Sequence, residues 1–343
     1  MKSKFPNSSA RARRTIGALA AASAVFAGSM VAAAPANAII GGNPASRSSY
    51  PYFARIDGGG SMCGGSVIAP TWVLTAAHCV DNLTAGQVKV GLNGRTHPAF
   101  SIGVHPLWNG NASDGHDLAV VMVPASATTK IVPVQVGTVT DPGAFAAGNQ
   151  ATMLGLGLTD PSSPSSVGVF HELKTVLRSD DDMDDIYNKW YWFDHWNSSL
   201  MIGAGWTNHT ACSGDSGGPL TVRRGGKTVQ VGVASFVRSW PGKCDEPAGF
   251  AQLSHGDLAW LGTIVRSIAD RWGPCTTRHG SAGKYVAFYG ASPLYPHRDG
   301  RMSWKIECLL PGKPGPTDST PPGPKPPADH VCQNKPWTPG CED

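Results

Sequence analysis

The sequence predicts an all-β, turn-rich protein that is exported and carries little helix. Three observations lead there. Gly and Pro account for 42 and 28 of the 343 residues, only 15% of residues are charged, and the apolar residues fall in short runs broken by Gly, Pro, Asn and Ser. The length allows one large core plus an appendage.

The first 38 residues read as an export signal. Lys2, Lys4, Arg11, Arg13 and Arg14 form a basic head, Ile16 to Ala34 an apolar stretch, and Ala36-Asn37-Ala38 a small-x-small cleavage site. A retained membrane anchor is the competing reading, but the stretch is rich in Ala, Gly and Ser and ends in that site. Cleavage there makes Ile39 the first residue of an extracellular chain and leaves no membrane segment behind. A start further upstream, at Pro35 for example, would mean a short propeptide. The Ala-rich leader is bacterial in type.

All acidic residues lie beyond the leader. Removing its five basic residues from the 28 leaves 23 against 24 acidic ones, a charge near minus one. Nucleic-acid binding thereby loses its electrostatic argument.

The 8 cysteines, in an exported chain, favour disulfides. Cys63, Cys79, Cys212, Cys244, Cys275, Cys308, Cys332 and Cys341 show no CxxC spacing, so neither a zinc site nor a cofactor is expected.

Further along, Gly65 to Ile68, Trp72 to Thr75 and Leu118 to Val123 read as buried strands. Leu220 to Val222 and Thr228 to Val233 flank Gly225-Gly226, a two-residue hairpin signal. Ser254 and Asp257 form a capping box before Leu258, Leu261, Val265 and Ile268, apolar at helical spacing. The acidic run Asp180, Asp181, Asp182, Asp184 and Asp185 reads as a solvated helix start in preference to a calcium loop. Residues 309–329, dominated by Pro, Gly, Lys and Thr, form a stiff linker, and Cys332 and Cys341 bracket a short terminal loop around Trp337.

Three segments carry the parts that acyl transfer needs: a nucleophile, a base, and donors for the oxyanion. Gly214-Asp215-Ser216-Gly217-Gly218-Pro219 offers a serine in a glycine-rich turn, where the amides of Gly214 and Ser216 could form an oxyanion hole. Thr75-Ala76-Ala77-His78-Cys79 presents an imidazole after a buried strand, able to act as base and then acid. His116-Asp117-Leu118-Ala119 places a carboxylate at the mouth of another strand, where it can hold the imidazole's tautomer. Asp114 competes with Asp117 but lacks the following apolar strand. Each segment alone has a plainer reading as a turn, a structural histidine or a cap. Their combination, in the order His, Asp, Ser, is specific.

On these motifs the chain resembles the chymotrypsin-like serine proteases from residue 39 to about 270. The resemblance implies two packed six-stranded antiparallel β-barrels with a C-terminal helix, and a triad of His78, Asp117 and Ser216 at their interface. It implies bridges Cys63–Cys79, worth about 3 kcal/mol in the chain-entropy model, and Cys212–Cys244 beside the specificity pocket. Ile39, opening an Ile-Ile-Gly-Gly run, would pair its amine with Asp215. Ser235, Phe236 and Val237 would contact an extended substrate strand. Thr210 stands where trypsins carry a pocket aspartate, and Val237 where a glycine leaves the pocket open, so small or medium apolar residues should be preferred on the acyl side. Ile202 stands where the family has a further cysteine.

The expected organisation is a leader over 1–38, a protease domain over 39–270, a disulfide-closed extension over 271–308, a linker over 309–329 and a looped tail over 330–343. A polypeptide substrate is expected. Tyr285, Tyr289, Trp304 and Trp337 could bind polysaccharide or cell wall, or simply form a small core. Two other functions fit the same scaffold: an inactive binding protein, which a broken triad would mark, and an esterase.

Overall fold

The structure is a computed structural model that describes residues 39–138, 140–160, 167–188, 196–238, 244–253, 255–265, 274–276, 281–290 and 303–309. The expected leader, Ser254, the linker beyond Leu309 and the tail with Cys332, Trp337 and Cys341 lie outside the described residues.

β1 (Asn43–Pro44) opens the described chain. β2 (Phe53–Gly58), β3 (Ser61–Ala69), β4 (Trp72–Thr75), β5 (Val88–Leu92), β6 (Arg95–Pro98), β7 (Ser101–Val104) and β8 (Ala119–Met122) form a 7-stranded antiparallel sheet in the order β6-β5-β2-β3-β4-β8-β7. After α1 (Ala125–Thr128) come β9 (Gln135–Val136), β10 (Gln150–Gly155), β11 (His171–Val176), α2 (Asp180–Tyr187), β12 (Met201–Ala204), β13 (Pro219–Arg224), β14 (Lys227–Phe236) and β15 (Ala248–Gln252). With β1 these strands make an 8-stranded sheet in the order β1-β11-β10-β13-β14-β15-β12, and β9 joins β14 in parallel. Both sheets curl into half-barrels, as the resemblance implies. The first sheet counts 7 strands and the second 8, where the short β1 and β9, of 2 residues each, pair onto its ring.

The strands follow the sequence closely. β4 is buried on both faces and β3 along nearly all its length, which explains their continuous apolar runs. Val67, Val73, Leu74, Val120 and Val121 are fully buried in the first core. Truncating Leu74 to Ala there would cost about 2–5 kcal/mol. The β13–β14 hairpin closes on Arg224 opposite Lys227, with Gly225 and Gly226 at φ 52° and 76°, as a type I′ turn requires. Ile202, on β12 opposite Phe250, is an apolar member of the second core.

The acidic run does begin a helix: the Ser179 hydroxyl accepts from the Asp182 amide at 3.1 Å, and the aspartates sit at the positive end of the α2 dipole. α3 (His255–Ile264) follows β15, and its Leu258, Trp260 and Leu261, with Val265 beyond, pack into the core of the first sheet. The chain thus returns to the first half-barrel after building the second. β16 (Pro274–Thr276), β17 (Ala282–Gly290) and β18 (Ser303–Leu309) form a separate 3-stranded antiparallel sheet, closed by a Cys275–Cys308 disulfide. No helix among the described residues is long and apolar enough to cross a membrane.

Candidate active site

β4 and β8 pair antiparallel, with Thr75 opposite Ala119 at one end of the ladder. His78, in a 3-10 turn just past β4, and Asp117, just before β8, are therefore delivered to the same sheet edge. A Cys63–Cys79 disulfide ties the histidine's turn to β3.

Asp117 is fully buried, and each of its oxygens is engaged. Oδ1 accepts the His78 backbone amide at 2.9 Å. Oδ2 faces His78 Nδ1 at 2.7 Å and accepts the Ser235 hydroxyl at 2.5 Å. This network assigns the imidazole proton to Nδ1 and leaves the Nε2 lone pair on a side chain that is 33% exposed. Burial pulls the His78 pKa down, but the hydrogen bond and charge of Asp117, helped by Asp81, outweigh it and hold the imidazole above its ordinary value. Asp114 is exposed and accepts from Asn109 Nδ2 at 2.6 Å, whereas Asp117 is the carboxylate that faces His78.

Ser216 is half-buried in the loop that leads into β13. The first sheet holds this loop directly. The Gly64 amide of β3 donates to the Ser216 carbonyl at 2.7 Å, and the Thr75 hydroxyl donates to the Gly64 carbonyl at 2.8 Å. A Cβ on Gly64 would lie 2.8 Å from Gly218 Cα, so only glycine permits this approach. Among the described residues, the amides of Gly214 and Ser216 donate to no other group.

Asp215 is buried between Cys212 and Gly157, whose amides donate to its Oδ2 and Oδ1 at 2.8 and 2.7 Å. Burial nevertheless pushes its pKa up to about 7, against those backbone hydrogen bonds. No lysine, arginine or histidine among the described residues lies within ion-pair reach of it. Ile39 is fully buried, and Ile40 exchanges backbone hydrogen bonds with Thr210. That bridge connects the start of the expected mature chain to the expected pocket base.

Thr210 is buried, and its hydroxyl has no partner among the described residues. Phe236 stands opposite Gly249 and packs edge-on against Tyr187, with ring centroids 5.3 Å apart. Val237 leans on the second core. The Cys212–Cys244 disulfide is present, while residues 239–243, part of the expected pocket rim, lie outside the described residues. The backbones of Tyr285, Tyr289 and Trp304 run in β17 and β18; their side chains lie outside the described residues.

Sequence reasoning missed two contributors. Ser235 was assigned a backbone contact with substrate, yet its hydroxyl bonds Asp117. Gly157 supplies an amide to Asp215, and a Cβ there would lie 2.6 Å from the carboxyl carbon. A glycine on each side of Leu156 was the available signal.

Two curled antiparallel half-barrels, with an exposed His78 paired to a buried Asp117 at one sheet edge and a GDSGGP loop braced across from the other, define a double-barrel serine hydrolase. The chain matches the family model described as Trypsin over residues 39–260. It is 31% identical over 245 residues to human chymotrypsin-like elastase family member 1, an alignment covering 67% of this chain and 93% of the relative. The dog protein of the same name gives the same figures, and bovine proproteinase E is 30% identical over 219 residues, covering 60% and 84%. The chain belongs to the trypsin family, and it is a serine endopeptidase acting on polypeptides.

Proposed function

We propose that the enzyme cleaves peptide bonds with His78, Asp117 and Ser216 as its triad. The observation that carries this is the buried Asp117, whose Oδ2 holds the Nδ1 side of His78 at 2.7 Å and so leaves Nε2 as the proton acceptor. The Ser216 hydroxyl attacks the scissile carbonyl, passing its proton to His78 Nε2. The tetrahedral oxyanion is held by the amides of Gly214 and Ser216. His78 then protonates the leaving amine, and water releases the acyl group by the same steps in reverse. Asp117 stabilises the imidazolium throughout.

In the mature enzyme the α-ammonium of Ile39 pairs with Asp215. The buried carboxyl, otherwise pushed to about 7 by burial, is suited to receive that charge. Thr210 offers no counter-charge to arginine or lysine, and Val237 narrows the pocket mouth, which supports small or medium apolar residues at the cleaved position. The relatives named as elastases favour the same reading.

The basic, Ala-rich leader supports bacterial export, with residues 1–38 removed. The domain then spans 39–270, followed by the disulfide-closed extension to 308, the linker and the looped tail; the tail's aromatic residues offer a polysaccharide or cell-wall contact.

The test is Ser216→Ala in purified mature protein. Turnover should be abolished with the fold intact, leaving a rate about 10³–10⁴ above water, and the parent should be labelled by a serine-directed fluorophosphonate. Near-normal activity in the variant, or a parent that resists the reagent, sinks the assignment.

A further inference from the structure

β2 turns Ala54 and Ile56 into the first core, so Arg55 and Asp57 share its opposite face, where an open cleft of about 390 Å³ runs along the sheet. Arg47, Arg55, Arg95, Asp57, Phe53 and Gly91 are among its walls. Three guanidiniums thus face one carboxylate, on a chain whose charge without the leader is near minus one. Asp57 is already taken: Arg55 donates to its Oδ1 from Nε at 2.8 Å and reaches the same oxygen with Nη2 at 2.7 Å. Glu172 is engaged by the Tyr50 hydroxyl and by Lys174 Nζ. The Arg47 and Arg95 side chains make no hydrogen bond or ion pair among the described residues.

Arg47 is not a loose surface cation. Its guanidinium lies 4.9 Å from the Phe53 ring centroid and 4.8 Å from that of Phe170, a two-ring seat that sets its position. Partial desolvation, and then the charge of Arg55, pull it below its ordinary pKa, the mark of a like-charge neighbour left uncompensated.

The cleft opens toward the reactive loop. Arg55 stands opposite Gly64 of β3 on one side and Gly91 of β5 on the other. Directly opposed residues share a face, and on that face a Cβ at Gly64 would meet Gly218 Cα at 2.8 Å. The arginine therefore lies on the side of the sheet that meets the Ser216 loop. Met62, two residues before Gly64 on the same face, brings its Cε to 3.4 Å from where a Cβ of Gly214 would stand. A chain that leaves the Gly214 amide across β3 passes Met62 and reaches Arg55 one strand further on.

We infer that this cleft binds acidic side chains of the polypeptide substrate downstream of the cleaved bond. The inference rests on the proposed triad and on the proposed acyl-side contact with Ser235 to Val237 of β14, which leaves the departing half of the substrate over the first half-barrel. Neighbouring strands stand about 4.8 Å apart and an extended chain advances about 3.3 Å per residue, so a cleft one to two strands beyond Gly64 meets roughly the third and fourth residues after the cut. A carboxylate there takes two parallel N–H bonds from the seated Arg47 and relieves its repulsion with Arg55. Arg95, at the start of β6, supplies the second unpaired charge.

The test compares kcat/KM for peptides that are identical up to the cut and carry either Glu or Gln at the third and fourth positions after it. Glu should be favoured about tenfold at low salt, and the ratio should shrink as ionic strength rises. Arg47→Gln combined with Arg95→Gln touches neither the triad nor the acyl-side pocket. It should leave the rate on the Gln peptide unchanged and bring the Glu-to-Gln ratio close to one.

Ser216→Ala separates the two readings. It should lose turnover yet bind a labelled Glu peptide more tightly than its Gln counterpart by fluorescence anisotropy, so a failed triad and a failed cleft give different results. Equal rates on the two peptides overturn the proposal, as does a Glu preference that persists undiminished in the double variant. A sulfated oligosaccharide that binds through Arg47 and Arg95 while both peptides are cut alike would give the cleft to a polysaccharide and overturn it too.

Discussion

The Ser235 hydroxyl donates to Asp117 at 2.5 Å, on the same carboxylate oxygen, Oδ2, that His78 Nδ1 faces. Ser235 lies on β14 of the second half-barrel and Asp117 borders β8 of the first, so the His78–Asp117 pair is oriented from both halves of the molecule.

Removing that donor concentrates negative charge on the oxygen facing the imidazole. Ser235→Ala should therefore raise the His78 pKa further and lower kcat/KM by about 1.5–3 kcal/mol, the scale of a hydrogen bond to a charged group. A pH–rate profile of the variant checks both effects. An unmoved acid limb would mean that the bond is incidental.

For the parent, kcat/KM should rise with pH through an apparent pKa above the ordinary histidine value of about 6.5. The base must be neutral, and Asp117 favours its charged form. The linkage has the opposite sense for stability. A raised His pKa contributes stability that is fully present below the unfolded value and is lost as pH climbs through the folded one. Asp117→Asn removes the pairing and should drop kcat by roughly 10⁴ through the wrong tautomer. An acid limb at or below the free-imidazole value in the parent would contradict the pairing.

Asp215→Asn should act in opposite directions before and after maturation. In a chain that retains residues ahead of Ile39, the folded carboxyl titrates near 7 because burial disfavours its charge. It then weakens the fold as pH rises from the unfolded value, about 4, through 7, and Asn should abolish that slope in thermal melts. In the mature chain, Asn strands the Ile39 ammonium, which should cost about 3–5 kcal/mol and most of the activity. A mature variant as active as the parent would refute the pairing.

Gly157→Ala forces a methyl within 2.6 Å of the Asp215 carboxyl carbon and 2.7 Å of its amide nitrogen, and the backbone atom cannot step aside. Overpacking of about 1–3 kcal/mol is expected, together with lost activity. Gly86, whose added Cβ meets nothing within 4 Å, serves as the control and should tolerate alanine in the same melting experiment.

Peptide substrates that differ only in Ala, Leu, Phe or Arg at the cleaved position should rank Ala or Leu first and Arg last. An arginine side chain would enter a pocket based on Thr210 without a counter-charge. Comparison of kcat/KM values decides the matter, and a preference for Arg would end the apolar-pocket reading.

Much of this was legible in the sequence because it is local. The strand patterns, the Gly225-Gly226 turn and the segments around His78, Asp117 and Ser216 each announce themselves within a few residues. The choice of Asp117 over Asp114 followed from the apolar strand after it, and burial of one and exposure of the other agree. What stayed hidden depends on distant segments meeting. Ser235 touches Asp117 across 118 residues. Asp257 read as a helix cap, yet its Oδ1 also faces His116 and His105, a convergence that no spacing rule reports. The close approach of Gly157 to Asp215 likewise joins segments 58 residues apart.

The bond from Gly64 to the Ser216 carbonyl joins strand β3 of one half-barrel to the reactive loop of the other, at a point where neither backbone leaves room for a side chain. Hydrolysis thus becomes a gauge of how tightly the halves are seated. A slackening too slight to shift a melting curve or expose either core would already dull the enzyme. A variant's catalytic rate should therefore give earlier warning of a loosening seam than any measure of its folding.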